Sequence, residues 1–201
     1  MTDTPESPDA TDHGTARDRA KAVRRQQLLD AAARLMAQRG YAGVRLEDIG
    51  AAVGVSGPAM YRHFAGKHDV LAQMLVGISQ RLFDGGEAVV DEATDLRAAL
   101  SGLIDFHVDF VLTEPDLIRV QDRDLSSLDD TARHQVRSLQ RRYVELWTDI
   151  LVGLNDSMEP VEARARAHAV FGLLNSAPRL PDLPPRELRS LLTQMANGAL
   201  A

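Results

Sequence analysis

The sequence predicts an all-α chain: a small N-terminal three-helix domain containing a helix-turn-helix, followed by a larger helical bundle. Residues 46–64, LEDIGAAVGVSGPAMYRHF, read as a short helix, a tight turn and a second short helix. Beyond them the apolar residues recur at helical spacing, and no stretch alternates convincingly as a strand. The chain has no cysteine, so neither a disulfide framework nor a thiolate zinc site enters the argument.

The helix pair follows from its residues. Leu46, Ile49 and Val53 fall at i, i+3 and i+7, one buried stripe on the first helix. Gly54 supplies the residue past its end, where a left-handed backbone costs glycine little. Ser56 follows as N-cap, its hydroxyl expected to accept an orphan backbone N–H. Gly57 and Pro58 open the second helix, where proline has no intrahelical bond to lose. Met60 and Phe64 point back at the first helix, leaving Gly57, Ala59, Tyr61, Arg62 and His63 outward or partly outward. An element that is small at its start and aromatic-basic further on fits a DNA major groove.

The remaining elements follow in order. Leu28, Ala32, Leu35 and Met36 mark a helix over roughly 21–38, closed by Gly40. Residues 67–83 form a helix expected to end at Gly85-Gly86. The stripe Leu96, Leu100, Leu103, His107, Phe110, Val111 ends before Pro115, and a short helix covers 116–125. Residues 129–153 are expected to be the longest amphipathic helix, with Val136, Leu139, Tyr143, Trp147 and Leu151 on one side. Pro160 opens a helix to about 176, and Pro184-Pro185 opens the last. The domains expected are a disordered acidic tail over 1–19, a helix-turn-helix domain over 20–66 and a helical domain over 67–201.

Charge divides along the same line. The chain carries net −6, yet residues 21–69 hold eight basic against four acidic side chains, a local +4. A basic head on an acidic body concentrates phosphate affinity on one face. The apolar runs are too short to cross a bilayer, and MTDTPESPDATDHG has no apolar signal region. A cytoplasmic location is therefore expected. The acidic tail argues against a minor-groove arm, although Arg17 and Arg19 lie within reach of phosphate.

The order of long helix, Gly40-Tyr41, Asp48-Ile49, Gly54-Val55-Ser56, Tyr61-x-His63-Phe64 and Lys67 resembles the DNA-binding domain of the tetracycline-repressor (TetR) family. By motif the resemblance covers about residues 21–75; beyond that it rests on length and helical character. It implies a transcriptional regulator, most simply a repressor, that binds a palindromic operator as a homodimer and is released by a small-molecule effector. It implies that Ser56 holds a phosphate through its backbone, that Gly57, Ala59 and Arg62 approach base edges, and that Tyr61, His63 and Lys67 meet phosphate. Two positions depart from the family pattern. Arg45 stands where Ser or Thr is usual, losing a cap and gaining a phosphate-binding guanidinium, and Pro58 replaces the usual Gly.

Dimerisation is expected through the last two helices. Ala165, Ala169, Gly172 and Ser176 form a small-residue face, and Leu188, Leu191, Leu192 and Met195 an apolar stripe. Phe106, His107, Phe110, Tyr143, Trp147 and Phe171 are candidates to line an effector pocket, although core packing also explains each. Arg119 and Arg123, interleaved with Asp122 and Asp124, read either as an ion-paired surface or as a charged gate. Apolar walls with arginines at the mouth suit an acyl-coenzyme A or another amphipathic acid.

Neither a cofactor nor a metal is expected. The six histidines lack zinc-ligand spacing, and Asp105 and Asp109 have no Glu-x-x-His partner. The opposing readings are an enzymatic bundle and a helical adaptor with a non-functional helix-turn-helix.

Overall fold

A computed structural model describes residues 12–200, which are helix, turn and loop with no strand among them. The elements are α1 (Asp12–Arg39), α2 (Leu46–Ala51), α3 (Gly57–Met60), α4 (Lys67–Glu92), α5 (Leu96–Thr113) and α6 (Pro115–Asp124). A 3-10 turn (Leu125–Ser127) leads to α7 (Asp130–Leu154) and α8 (Pro160–Leu174), and a second (Ala177–Arg179) precedes α9 (Pro185–Leu200).

Local chemistry sets most boundaries. Asp95 accepts from the Ala98 N–H at 2.8 Å to cap α5, and Asp129 from the Ala132 N–H at 2.7 Å to cap α7. Pro115, Pro160 and Pro185 open α6, α8 and α9. Gly40 and Gly54, at φ 80° and 72°, close α1 and the turn after α2.

Two apolar clusters divide the molecule. The head cluster gathers Leu28, Ala32 and Met36 of α1, Leu46 and Ile49 of α2, Met60 and Phe64. It continues without a break into Val70, Leu71 and Met74 of α4, Leu117 and Val120 of α6, and Val136 of α7. The body cluster centres on Trp147, Leu103, Ile104, Leu151 and Leu174. There is therefore no gap in the packing at 66/67.

Three expectations change. The first helix begins at Asp12, so residues 12–19 are helical where a tail was expected; residues 1–11 lie outside the described residues. The helix from Lys67 does not stop at Gly85-Gly86 but runs to Glu92. A Cβ on Gly85 would strike the Phe106 ring, and one on Gly86 the Tyr143 ring. Those glycines admit α5 and α7 at close range; they are not a terminus. Residues 130–154 form 25 residues of helix, shorter than α1 at 28 and α4 at 26.

Candidate DNA-reading head and effector cavity

The helix pair is held by a close approach at its centre. A Cβ on Gly50 would lie 2.6 Å from the Val55 carbonyl oxygen and 2.8 Å from Met60 Cγ, so α2 and α3 meet there without a side chain between them. Ser56 stands at the N-cap of α3 in extended conformation, but its hydroxyl makes no capping bond. Its carbonyl instead accepts from the N–H groups of Ala59 and Met60, at 2.9 and 3.1 Å. That leaves the hydroxyl exposed. After Met60 the chain tightens, with Arg62 N–H on the Ala59 carbonyl at 3.1 Å and His63 N–H on the Met60 carbonyl at 2.9 Å.

The tightened turn sorts the side chains. Tyr61 is 59% exposed and Arg62 is exposed, whereas Met60 and Phe64 are buried. Gly57 and Ala59 are half-buried, the former because Glu47 packs against it. His63 is half-buried, and its Nδ1 is buried without a hydrogen-bond partner. Arg45 is exposed, while its N–H donates to Asp48 at 2.9 Å, a carboxylate reaching back to the N-cap. Lys67 donates to the Tyr41 carbonyl at 2.8 Å, with its ammonium 4.3 Å from the centre of that ring.

In the body a cavity of about 190 Å³ opens between α4, α5, α6, α7 and α8. His107, Tyr143 and Phe171 form its aromatic wall, their rings within 26° of parallel and their centroids 5.0 to 5.8 Å apart. Trp147 meets all three edge-on behind this wall, and its indole N–H is buried without a hydrogen-bond partner. Ser79, Gln121, Gln140 and Asn175 supply polar lining groups. His107 is wedged between Tyr143 OH at 3.3 Å from Nδ1 and Asn175 Oδ1 at 3.2 Å from Nε2. Asn175 accepting from Nε2–H leaves Nδ1 to accept the Tyr143 proton, a consistent neutral imidazole. Burial pushes its pKa down to about 4, with the Asn175 bond opposing, and pushes the Tyr143 hydroxyl up.

Helix α6 joins cavity to head. Gln121 lines the cavity, while Arg123 donates to the carbonyls of Met36 and, at 3.4 Å, Ala37 in the last turn of α1. Asp124, buried beside it, accepts from the Tyr41 N–H at 3.3 Å. The same helix is also tied to the turn after α8. There Arg119 donates to the Pro178 carbonyl at 2.9 Å, and Asp122 pairs with Arg179 at 2.7 Å.

Residues 28–74 match the family described as "Bacterial regulatory proteins, tetR family", and residues 93–179 match "Tetracyclin repressor-like, C-terminal domain". The chain belongs to the TetR family. It is a DNA-binding transcription regulator. It is 29% identical over 138 residues to the transcriptional repressor KstR2 of Rhodococcus jostii, covering 68% of each chain. It is also 29% identical over 148 residues to the transcriptional activator FasR of Mycolicibacterium smegmatis, covering 73% of this chain and 66% of that one. The chain thus spans about two thirds of those relatives. A TetR-family regulator from Bordetella parapertussis has the same fold, with TM-score 0.76 at 21% identity over 86% of this chain and 93% of its own. So does AibR, solved with isovaleryl coenzyme A and operator DNA, at TM-score 0.68 and 18% identity over 86% and 97%.

As a TetR-family head, the fold brings Arg45, Ser56, Gly57, Ala59, Tyr61, Arg62 and His63 to the helix-turn-helix and its entry. Lys67 is the exception in use: its ammonium is committed to Tyr41 and fixes the 40–45 loop. The aromatic candidates divide. His107, Tyr143 and Phe171 line the cavity, Trp147 backs it, and Phe110 touches His107 edge-on at 5.8 Å. Phe106 is spent against Gly85. Arg119 and Arg123 do not line the cavity; they are ion-paired, with Asp116 at 3.0 Å and Asp124 at 3.1 Å, as one of the two sequence readings had it, and each also donates to main chain. Gly50 and Asn175 were missed. No local signal marks a glycine inside a helix as a point of contact, and Asn175 is polar at a helix end, where capping is the ordinary reading.

No helix among the described residues is long and apolar enough to cross a membrane. Among the same residues no group of three or more His, Cys, Asp or Glu is placed to hold a metal.

Proposed function

We propose that this chain is a cytoplasmic, non-enzymatic, ligand-responsive repressor that binds a palindromic operator as a homodimer. The observation that carries the reading is α6, which lines the cavity through Gln121 and grips the last turn of α1 through Arg123. A ligand that prefers a displaced α6 shifts the head by its differential affinity for the two states. Helix α4, which enters both apolar clusters, carries the same displacement along a second path.

On the DNA side, Arg62 reads a base edge, Tyr61 and Arg45 meet phosphate, and the exposed Ser56 at the start of α3 lies against the backbone. Gly57 and Ala59 permit close approach. His63 and Lys67 contribute from behind, by fixing the turn and the loop.

The effector is a compact amphipathic or acyl-type molecule. The AibR complex with isovaleryl coenzyme A supports this class, as does an aromatic wall next to neutral amides. At about 190 Å³ the cavity is below the usual ligand range of about 300–1,000 Å³, so a long chain requires α6 or α8 to yield. Dimerisation uses α8 and α9, where Val161 is 72% exposed, Met195 46% and Leu191 39%, beside exposed Ala165, Ala169 and Gly172.

Selection of the purified protein on a random duplex pool at about physiological salt tests the reading. Enrichment of a palindrome with half-sites about one helical turn apart supports it. Folded protein that enriches nothing refutes it.

A further inference from the structure

The first helix is longer than its packing requires. Residues 16–24 are exposed around the whole circumference, Val23 at 58%, and among the described side chains the first fully buried one is Leu28. Between residues 17 and 25 stand Arg17, Arg19, Lys21, Arg24 and Arg25 against Asp18 alone, a net +4. Arg17, Lys21 and Arg25 follow each other at i, i+4, a spacing at which like charges repel on a solvated helix. Such a segment gains little from the protein and much from a polyanion. It also lies upstream of residue 28, where the family match begins.

The direction of the charged stripe is set by its base. Arg17, Lys21 and Arg24 lie eleven, seven and four residues before Leu28, so they share one face of the helix. At Arg24 that face meets the helix-turn-helix, with the guanidinium donating to the Val53 carbonyl at 3.4 Å in the turn before α3. Arg25, four residues after Lys21, borders the same face and also meets the head, donating to the His63 carbonyl at 3.3 Å and standing 5.2 Å from the Phe64 ring. The stripe therefore continues the DNA-reading surface beyond the start of α3. From Arg24 to Arg17 it extends about 10 Å at the helical rise, about three nucleotides of duplex axis.

We infer that Arg17 and Lys21, carried by the exposed start of α1, form a second DNA contact on phosphates flanking the major-groove site. The contact is to phosphate, so it adds affinity and salt dependence without reading sequence. It rests on the DNA-binding reading of the head but not on any particular operator.

The test uses full-length protein and a mixed-sequence 40-base-pair duplex, with affinity measured from about 0.05 to 0.3 M salt. Arg17→Gln/Lys21→Gln is expected to lower the slope of log affinity against log salt by about 2 per bound protomer, at about 0.9 per phosphate lost. That corresponds to about a 60-fold loss at 0.1 M salt. The base preference selected from a random pool is expected to stay as in wild type. Arg19→Gln, on the opposite side of the helix, is expected to cost less than half as much slope as either single change. An unchanged slope in the double variant overturns the contact. An equal loss from Arg19→Gln overturns the assignment to one face in favour of a diffuse field. Because the duplex has mixed sequence, failure to enrich an operator leaves this comparison intact and counts only against the palindrome. Wild type that binds no duplex removes both.

Discussion

Arg123 on α6 donates its guanidinium to the main-chain carbonyl of Met36, in the last turn of α1. The Met36 carbonyl already accepts from the Gly40 N–H at 2.8 Å, so the guanidinium takes its second lone pair, and a cation there also meets the negative end of the helix dipole. Asp124 orients the same guanidinium at 3.1 to 3.3 Å while accepting the Tyr41 N–H. Head and body are thus joined by charge-assisted bonds to main chain, which move only if α1 or α6 moves.

Arg123→Ala is expected to lower unfolding free energy by about 1 kcal/mol, the side chain being nearly half exposed. Arg123→Lys is expected to restore little, since an ammonium cannot span Met36, Ala37 and Asp124 as the planar fork does. Urea unfolding reads the first effect. The informative measurement is DNA affinity with and without a cavity ligand, where the variant is expected to bind the ligand normally but respond less. A full response in Arg123→Ala would assign the coupling to α4 alone.

The buried imidazole of His107 gives a pH signature. Its pKa of about 4 lies below the ordinary 6.5, so from about pH 6.5 down to 4 the unfolded chain takes a proton that the folded chain refuses. Stability is complete above about pH 6.5 and falls through that window by about 3 kcal/mol. His107→Gln keeps an amide toward Asn175 and does not titrate. The wild-type-minus-variant difference in urea unfolding is expected to decline from pH 7.5 to 4.5. A flat difference would mean that the ring protonates freely in the folded state.

The contrast between legible and illegible features is sharpest among the glycines. Gly54 was readable because a positive φ after a helix is a local demand that few other residues meet. Gly85 and Gly86 misled, because the reason for them lies on Phe106 and Tyr143, far along the chain. The arginines show the same split. Their ion pairing with aspartates was legible, and Asp116 and Asp124 do accept from them, but their further acceptors are carbonyls at Met36 and Pro178 that carry no side-chain signal. Helix faces set by local period were legible, and so was the outward Tyr61-Arg62 pair. Close approaches between distant helices were not.

Lys67 separates a phosphate contact from an internal anchor. As an anchor on Tyr41 it contributes about 1 kcal/mol through a charge-assisted hydrogen bond and ring contact. Lys67→Met is therefore expected to lower thermal stability while leaving the salt slope of DNA binding unchanged. A slope reduced by about 1, with stability unaltered, would return Lys67 to the phosphate backbone.

Arg62 and Tyr61 are adjacent and exposed but are expected to fail differently. Arg62→Ala should relax base preference at one position of each half-site, at about 1–3 kcal/mol for a lost bidentate contact. Tyr61→Phe should weaken every sequence alike, since it removes one hydroxyl aimed at phosphate. Selection from a random pool with each variant reads both. A sequence logo identical to wild type for Arg62→Ala would show that its guanidinium meets the backbone.

The exposed face of α8 carries the final expectation. Val161, Ala165, Ala169 and Gly172 recur at i, i+4, i+8 and i+11, and a Cβ on Gly172 would meet open space. Small residues at this period let a second helix approach closely, and on α9 Leu191 and Met195 are likewise exposed apolar side chains. A stable interface hides on the order of 1,000 Å² or more, which two such helices from each protomer can supply. Ala169→Arg places a charge at the centre of that face and at an exposed position of the monomer, so folding should survive. Sedimentation is expected to show wild type as a dimer and the variant as a monomer at micromolar concentration, with affinity for a palindrome falling at least tenfold. An unchanged mass for Ala169→Arg together with Met195→Arg would remove α8 and α9 from the interface, because a close helix contact does not accommodate two added like charges from each protomer.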